Sequence, residues 1–529
     1  MEIILKNNKG FSWYKKNNIF FKGYFYIDNL FYENETALNY LNSIKVKKDF
    51  LKLIKKINGV FSLIINIGKN TYVASDVTRA FPIFYTTKNN ELYISDDILY
   101  LKNTFNINDF NTLSSIELKS SNHTHGKKTL LNTIFQVQAS EYLIIENNKI
   151  IYSDFFFTYA IKKESTNSYL YFRKKVNLAF ENAFKRLLSS LNNRMVVIPL
   201  SAGFDSRLIA VFLKKYGYQN VVCYTYGSSN SPEIENSKNS AQKLGFKWYF
   251  IEYNIHLIAG FSKSNDFKEY AHFAGKFSST PNLQEYFAVK YLKENNLISK
   301  ESIFIPGYAG DLLGGSQFIK VIPKDLKKEE IITLILQKKF NNYPFSSNEK
   351  KLLQKEVKTN LKKLEKNYHK YIPSSVFENY DITEKIAKYI FNSASFYNFF
   401  GFEHRVPFWD KELLLLFKKL PQEFKILKLL FDDVLIEEYF KKFEIYFCNE
   451  SLVTNKNLSL QKIKDRIKSF LPTFIKQKLL KKNDWNNYQP ITNELLLMMR
   501  QNRLKIKRKS NDYNEIIAQW YLYFSKNKL

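Results

Sequence analysis

Apolar residues run unbroken from Met195 to Leu200 (MVVIPL), stop at the small-residue turn Ser201–Gly203, and return in a helix-compatible stretch, LIAVFLKKYG, from Leu208 to Gly217. The β-branched run predicts a buried strand, and the stretch beyond the turn predicts a helix. The alternation continues with NVVCYTYG at 220–227 as a strand, EIENSKNSAQKLG at 233–245 as a helix and KWYFIEY at 247–253 as a strand. Strands and helices alternating over short connections predict an open parallel sheet. Earlier in the chain the period is two. Apolar and polar positions alternate in VFSLIIN (60–66), TYVASD (71–76) and ELYISDD (91–97), the pattern of half-buried strands. Helical spacing with lysines on the outer face marks Gln461–Ser510, which predicts short amphipathic helices.

Ligands of open parallel sheets bind beyond the carboxyl ends of the strands, where Ser201–Ser206 and Tyr226-Gly227 fall. The turn SAGFDS leaves backbone N–H groups unshielded and opens a helix, an arrangement that attracts anions. Asp205 inside that turn would repel phosphate unless a divalent cation lay between them, so the turn predicts phosphate together with Mg²⁺. No GKS or GKT follows, which separates it from a Walker A loop. A second apolar run ends in a glycine-rich turn with one carboxylate, IFIPGYAGDLLGGSQF at 303–318, and could place Asp311 opposite Asp205 across a metal-bound pyrophosphate. A third stretch, GFEHRVPFWDKELLLLFKKLPQEFK at 401–425, sets Glu403, Arg405 and Asp410 around a proline and ahead of an apolar helix.

In order and spacing, these three motifs resemble the synthetase domain of the asparagine synthase family over residues of about 195 to 430. SAGFDS looks like its PP-loop, GYAGDLLGG like its second pyrophosphate loop, and EHRVPFWDKELLLLFKKLP like its ExRxPFLD…LP signature. INGVFSLIINIGKNTYVASDVTRAFPIFYTTKNNELYISDDILYL at 57–101 is similar to part of the family's glutaminase domain, and 126–150 looks like the strand pair that closes it. The resemblance implies an α/β protein. It would have an Ntn-hydrolase-like antiparallel-sheet domain at 1–160, a PP-loop ATP pyrophosphatase domain with a parallel sheet at 165–450, and a basic helical extension at 451–529.

Carried over residue by residue, the resemblance assigns ATP and pyrophosphate binding to Leu200, Ser201, Ala202, Gly203, Phe204, Ser206, Tyr226, Gly307, Tyr308 and Gly310. Asp205 and Asp311 would be the catalytic pair that holds Mg²⁺, and Lys456 is suggested as the lysine of the adenylation step. Glu403, Arg405 and Asp410 form the structural signature. Ala202 stands where the family has Gly, Tyr308 where it has an acidic residue, and Leu312-Leu313 replace a Glu-containing segment. The implied reaction adenylates a carboxylate of aspartate or a related acid, transfers ammonia or an amine to it, and releases AMP and pyrophosphate.

The family's glutaminase uses an amino-terminal Cys, and this sequence begins Met1-Glu2-Ile3, with Cys223 and Cys448 far from that position. Glutamine hydrolysis by the thiolate route is therefore not expected, and ammonia would come from solution or from a separate subunit. Two other classes stay open. One is a PP-loop enzyme that modifies tRNA, and the other is a non-catalytic scaffold of surface polysaccharide biosynthesis.

With 45% hydrophobic residues in 529, the chain has core material for more than one domain. The formal charge of +30 invites a nucleic-acid partner, but the lysines are scattered over helix faces and the reading is discounted. The basic end reads as a cap on the synthetase domain, with contact to anionic membrane as a further option. The absence of a long apolar segment and of a disulfide framework points to the cytoplasm. His123 and His125 in SNHTHGKK read as a solvated loop, and Cys223 as a small hydrophobe in a buried strand.

Overall fold

The computed structural model describes residues 1–528 apart from 319, 363, 365–369, 448–483 and 507–512. Lys456 and Cys448 lie outside the described residues. So does most of the basic segment that begins at Gln461.

The first part is a sandwich of two sheets. One has the order β1 (Glu2–Ile4), β8 (Glu91–Ser95), β7 (Phe84–Lys88), β9 (Phe135–Gln136). The other runs β11 (Lys149–Phe155), β10 (Glu141–Glu146), β6 (Asn70–Ser75), β5 (Asn58–Ile67), β3 (Ile19–Ile27), β2 (Tyr14–Lys16), with β4 (Leu30–Glu33) also on β3. Pairing is antiparallel except between β1 and β8. The two-residue period read from the sequence decides the layering. Ile64 and Val73 point between the sheets toward Ile83 and Ile94, whereas Leu63 and Ala74 face helices α1 (Asn34–Leu41) and α2 (Lys47–Lys56). Within 126–150 the expected strand pair is confined to the end: β10 begins at Glu141, and its partner β11 continues to Phe155. Of the preceding residues, Phe135 and Gln136 pair with β7, and Leu130 N–H reaches Phe277 O of the second part (2.6 Å).

The second part is a five-stranded parallel sheet, order β14 (Lys247–Glu252), β13 (Val221–Gly227), β12 (Val196–Pro199), β15 (Ile303–Phe304), β16 (Glu403–His404). Val196, Ile198, Val221, Cys223 and Ile303 point to one face, where helices α4 (Tyr169–Ser189) and α5 (Phe204–Lys215) pack. Val197, Val222, Tyr224 and Phe304 point to the other, against α7 (Asn265–Gly275) and α8 (Tyr286–Glu294). A sheet covered on both faces explains why its strands read as continuous apolar runs. Helix α3 (Thr112–Ser121) of the first part, and α11 (Gln489–Gln501) and α12 (Tyr513–Ser525) of the carboxyl end, share that second core: Leu118, Leu495 and Trp520 belong to it.

One sequence reading is corrected here. His123 and His125 are buried, with rings 4.4 Å apart, and not solvated. His125 meets Ser121 Oγ (2.9 Å) and Tyr380 Oη (2.8 Å), and Glu384 beside it is paired with Lys388 at 2.6 Å. Burial lowers the His123 pKa to about 3, so the ring is neutral. The local string SNHTHGKK is polar, but Tyr380, Glu384 and Lys388, which complete its surroundings, come from far along the chain, where no local pattern reveals them. The donor atoms of His123, His125 and Glu384 lie within 4.8 Å of one another. Hydroxyls and the Lys388 ammonium already satisfy His125 and Glu384, so the cluster is a structural junction.

Candidate nucleotide site

The turn after β12 leads straight into α5, with Gly203 as N-cap in extended backbone (φ −70°, ψ 157°). Gly203 N–H donates to Ser201 Oγ (3.0 Å), and Ser201 N–H donates to Ser206 Oγ (3.1 Å). The two serines thereby hold the loop open at the helix N-terminus, where backbone N–H groups lack helical partners. Ala202 is not among the residues with positive φ, so its methyl costs the turn no backbone strain. Arg207, fully buried, fastens the loop from behind. Its guanidinium donates to Gly203 O (3.2 Å), Ala202 O (2.9 Å) and Ile445 O (2.8 Å) and lies against the rings of Phe204 and Phe440.

The second glycine-rich loop closes onto the first. Asp311 N–H donates to Asp205 Oδ2 at 2.8 Å. A Cβ on Gly310 would lie 2.7 Å from Asp205 Cγ, and one on Gly307 would lie 2.9 Å from Asp205 Cβ, so glycine is required for this approach. Ala309 takes a left-handed conformation (φ 56°) to start α9 (Gly310–Gly314). Burial, and then the neighbouring Asp311 charge, push the Asp205 pKa up from 3.8 to about 8. Asp205 Oδ1 is buried and has no hydrogen-bond partner among the described residues. A buried carboxylate oxygen without a donor, beside a second carboxylate, is the arrangement a divalent cation would satisfy.

Between the loops lies a cavity of about 470 Å³. Of the residues named from the sequence, Leu200, Ser201, Gly203, Phe204, Asp205, Ser206, Tyr226, Gly307, Tyr308 and Asp311 line it. Ala202 turns its carbonyl to Arg207, and Gly310 packs on Asp205. Neither Tyr308 nor Phe204 fills the space: Tyr308 lies near Phe391 and Tyr397, and Phe204 meets Phe440 edge-on at 5.2 Å. Leu200 uses both its own backbone groups on β13, its N–H on Tyr224 O (2.8 Å) and its carbonyl on Thr225 Oγ1 (2.7 Å).

Other lining residues escaped the sequence reading. Lys428 sits at the phosphate-loop end, paired with Asp432 (3.0 Å) and in left-handed backbone (φ 61°), and its charge acts to lower the Asp205 pKa. Glu285 is buried in the wall and accepts hydrogen bonds from Tyr224 and from Tyr397 (2.8 Å). Burial raises its pKa to about 7 against the lowering effect of those bonds. Asn486 and Tyr488 reach the cavity from the carboxyl-terminal region. Lys428 follows the LP element closely enough to have been sought there. Glu285, Asn486 and Tyr488 belong to no recognisable motif.

The signature residues lie apart from the cavity and join the two parts of the chain. Arg405 is buried and pairs with Glu403 (2.9 Å) and with Glu33 (3.3 Å) beside α1. Asp410 takes a bidentate contact from Arg186 (2.7 and 2.8 Å) and a hydrogen bond from Asn58 Nδ2 (2.8 Å), and it caps α10 (Lys411–Phe417). Asn58 and Glu33 come from the sandwich, so the signature works as an interdomain clamp.

The model of the asparagine synthase family matches residues 175–431. Over that stretch the chain is similar to the asparagine synthase family. The chain is also 24% identical over 217 residues to the microcin J25-processing protein McjC of Escherichia coli. That match spans 40% of this chain and 39% of the relative, so the chain covers about two fifths of that protein's length. Among solved structures, the NH3-dependent NAD synthetase of Campylobacter jejuni overlaps 37% of this chain and 96% of its own, with 18% identity and a TM-score of 0.20. The glutamine phosphoribosylpyrophosphate amidotransferase of B. subtilis overlaps 57% of this chain and 58% of its own, with 10% identity and a TM-score of 0.16. No helix among the described residues is long and apolar enough to cross a membrane.

Proposed function

We propose that this chain is an ATP-dependent ligase that adenylates a carboxylate and joins it to ammonia or a small amine. The observation that carries the reading is the meeting of Asp205 with the amide of Asp311, which leaves Asp205 Oδ1 buried, and unpaired among the described residues, at the mouth of an anion-attracting helix. ATP would lie along the carboxyl edge of the sheet, with its phosphates over the amides of Ser201–Ser206. Asp205 and Asp311 would hold Mg²⁺, which when bound neutralises charge on the departing pyrophosphate. Arg207 keeps the loop in place, and Lys428 adds positive charge at the same end. The substrate carboxylate oxygen forms a bond to the α-phosphorus while the bond from that phosphorus to the pyrophosphate oxygen breaks. The amine nitrogen then bonds to the acyl carbon, and AMP departs. An ammonium must lose a proton before it attacks, and Glu285, with its pKa near neutrality, is placed in the wall to take it.

Free ammonia or an amine is proposed as the nitrogen source, because among the described residues the one cysteine, Cys223, is buried within β13, and burial raises its thiol pKa far from the reactive range. The scaffold alternative is disfavoured by an unpaired buried carboxylate that a purely structural site would have no reason to keep. The test is pyrophosphate release from ATP with Mg²⁺ and ammonium across aspartate, uronic acids and amino acids. Because the relative is described by its processing of microcin J25, carboxylates carried on larger molecules belong in the same panel. Release should need one class of carboxylate and vanish in Asp205→Ala. Release only with RNA would favour tRNA modification, and silence throughout would favour the scaffold.

A further inference from the structure

The cavity has two ends, and the fold tells them apart. The sheet order places β12 between β13 and β15, so the loops that carry Asp205 and Asp311 stand over β12 and β15, and the end of β13 lies on the opposite flank. That flank is walled by a segment from the carboxyl-terminal region, Asp484–Tyr488, and the segment is built to stay there. Ser228 N–H donates to Trp485 O at 2.8 Å, and the Asn487 carboxamide donates to Tyr253 O. The Asp484 carboxylate accepts the N–H groups of Tyr488 (2.9 Å) and Gln489 (2.7 Å), closing the turn that starts α11. Gly227, at φ 126°, makes room for it: a Cβ there would lie 2.8 Å from Trp485 O and 3.0 Å from Asn486 Cα. A main-chain strap thus crosses the carboxyl end of β13 in direct backbone contact.

We propose that this strap forms the nucleoside end of the cavity, with the Asn486 carboxamide and the Tyr488 ring contacting the base. The inference rests on the ATP reading above. Phosphates anchored between the Asp205 and Asp311 loops leave the base to extend toward β13, where Tyr226, Asn486 and Tyr488 line the wall. A carboxamide offers one donor and one acceptor group side by side, which suits the polar edge of a base, and an aromatic ring suits its face. Among the described residues, this part of the wall carries no positive charge to attract phosphate: Asn486 and Tyr488 are neutral, and Tyr226 stacks on Tyr253 at 5.0 Å.

The experiment compares two ligands by calorimetry with Mg²⁺ and the full chain: ATP, and inorganic tripolyphosphate, which has the phosphates without the nucleoside. Asn486→Ala should weaken ATP about tenfold, the worth of one or two hydrogen bonds, and leave tripolyphosphate unchanged. Asp205→Asn should weaken both. Asp484→Ala, which loosens the strap without touching the cavity, should repeat the Asn486→Ala pattern in milder form, with melting temperature and circular dichroism confirming that each variant folds. Unchanged ATP affinity in Asn486→Ala, or equal losses for both ligands, would overturn the assignment of the strap. If the unaltered protein bound neither ligand, the ATP reading itself would fall.

Discussion

Asp205 carries a conflict between stability and function. Its carboxyl has an ordinary pKa of 3.8 and a folded value of about 8, so between those limits the folded state holds a proton that the unfolded chain releases. Stability therefore falls as pH rises from about 4 to 8. Asp205→Asn removes that loss, and its unfolding free energy, measured by denaturant, should exceed that of the unaltered protein at pH 8 by on the order of 1–2 kcal/mol and match it near pH 4. The same variant should lose Mg²⁺-dependent nucleotide binding. Gly310 supplies a second test at this scale. Since an added Cβ would fall 2.7 Å from Asp205 Cγ, Gly310→Ala must displace the second loop, and ATP affinity should fall at least tenfold, on the order of 1.4 kcal/mol, with the fold intact.

At the scale of elements, the site depends on how rigidly α5 and the interdomain clamp are held. Phe212 of α5 stacks on Phe184 of α4 with centroids 4.0 Å apart, and both rings are fully buried. Phe212→Ala should destabilise the chain by about 3–5 kcal/mol, measured by denaturant unfolding, without a direct effect on the loop residues. Asp410→Ala strips the bidentate partner from the buried Arg186 and should cost about 3–5 kcal/mol, with the sandwich loosening first under limited proteolysis. These elements were legible before any coordinates. Continuous apolar runs gave away β12 and β13 because both sheet faces are covered, and the two-residue period gave away β5, β6 and β8. Asp205 and Asp311 were legible because each lies in a short turn after an apolar run. Arg207 was visible only as part of a helix start, since its hydrogen bonds to loop carbonyls depend on Ile445 and Phe440 packing behind it. The histidine pair was misread for a related reason: Tyr380, Glu384 and Lys388, which bury and satisfy it, arrive from a remote helix.

For the whole molecule, the described carboxyl-terminal helices belong to the same core as the parallel sheet. Helices α11 and α12 complete the core beneath the sheet, and the strap before α11 reaches the cavity. Sequence periodicity shows that such helices exist but not which surface they cover, because amphipathic faces carry no address. The sandwich and the sheet likewise share a core, through Phe11, Tyr24 and Phe81 on one side and Val406 and Phe408 on the other. Substitutions in the clamp should therefore lower nucleotide affinity as well as stability. The account stands on two acidic loops that bind a metal-bearing triphosphate, and its most direct test is the affinity for ATP measured with and without Mg²⁺, in the unaltered chain and in Asp205→Asn. The account predicts that Mg²⁺ tightens binding strongly in the first and not in the second; equal affinities with and without the metal in the unaltered chain, or no binding at all, would contradict it.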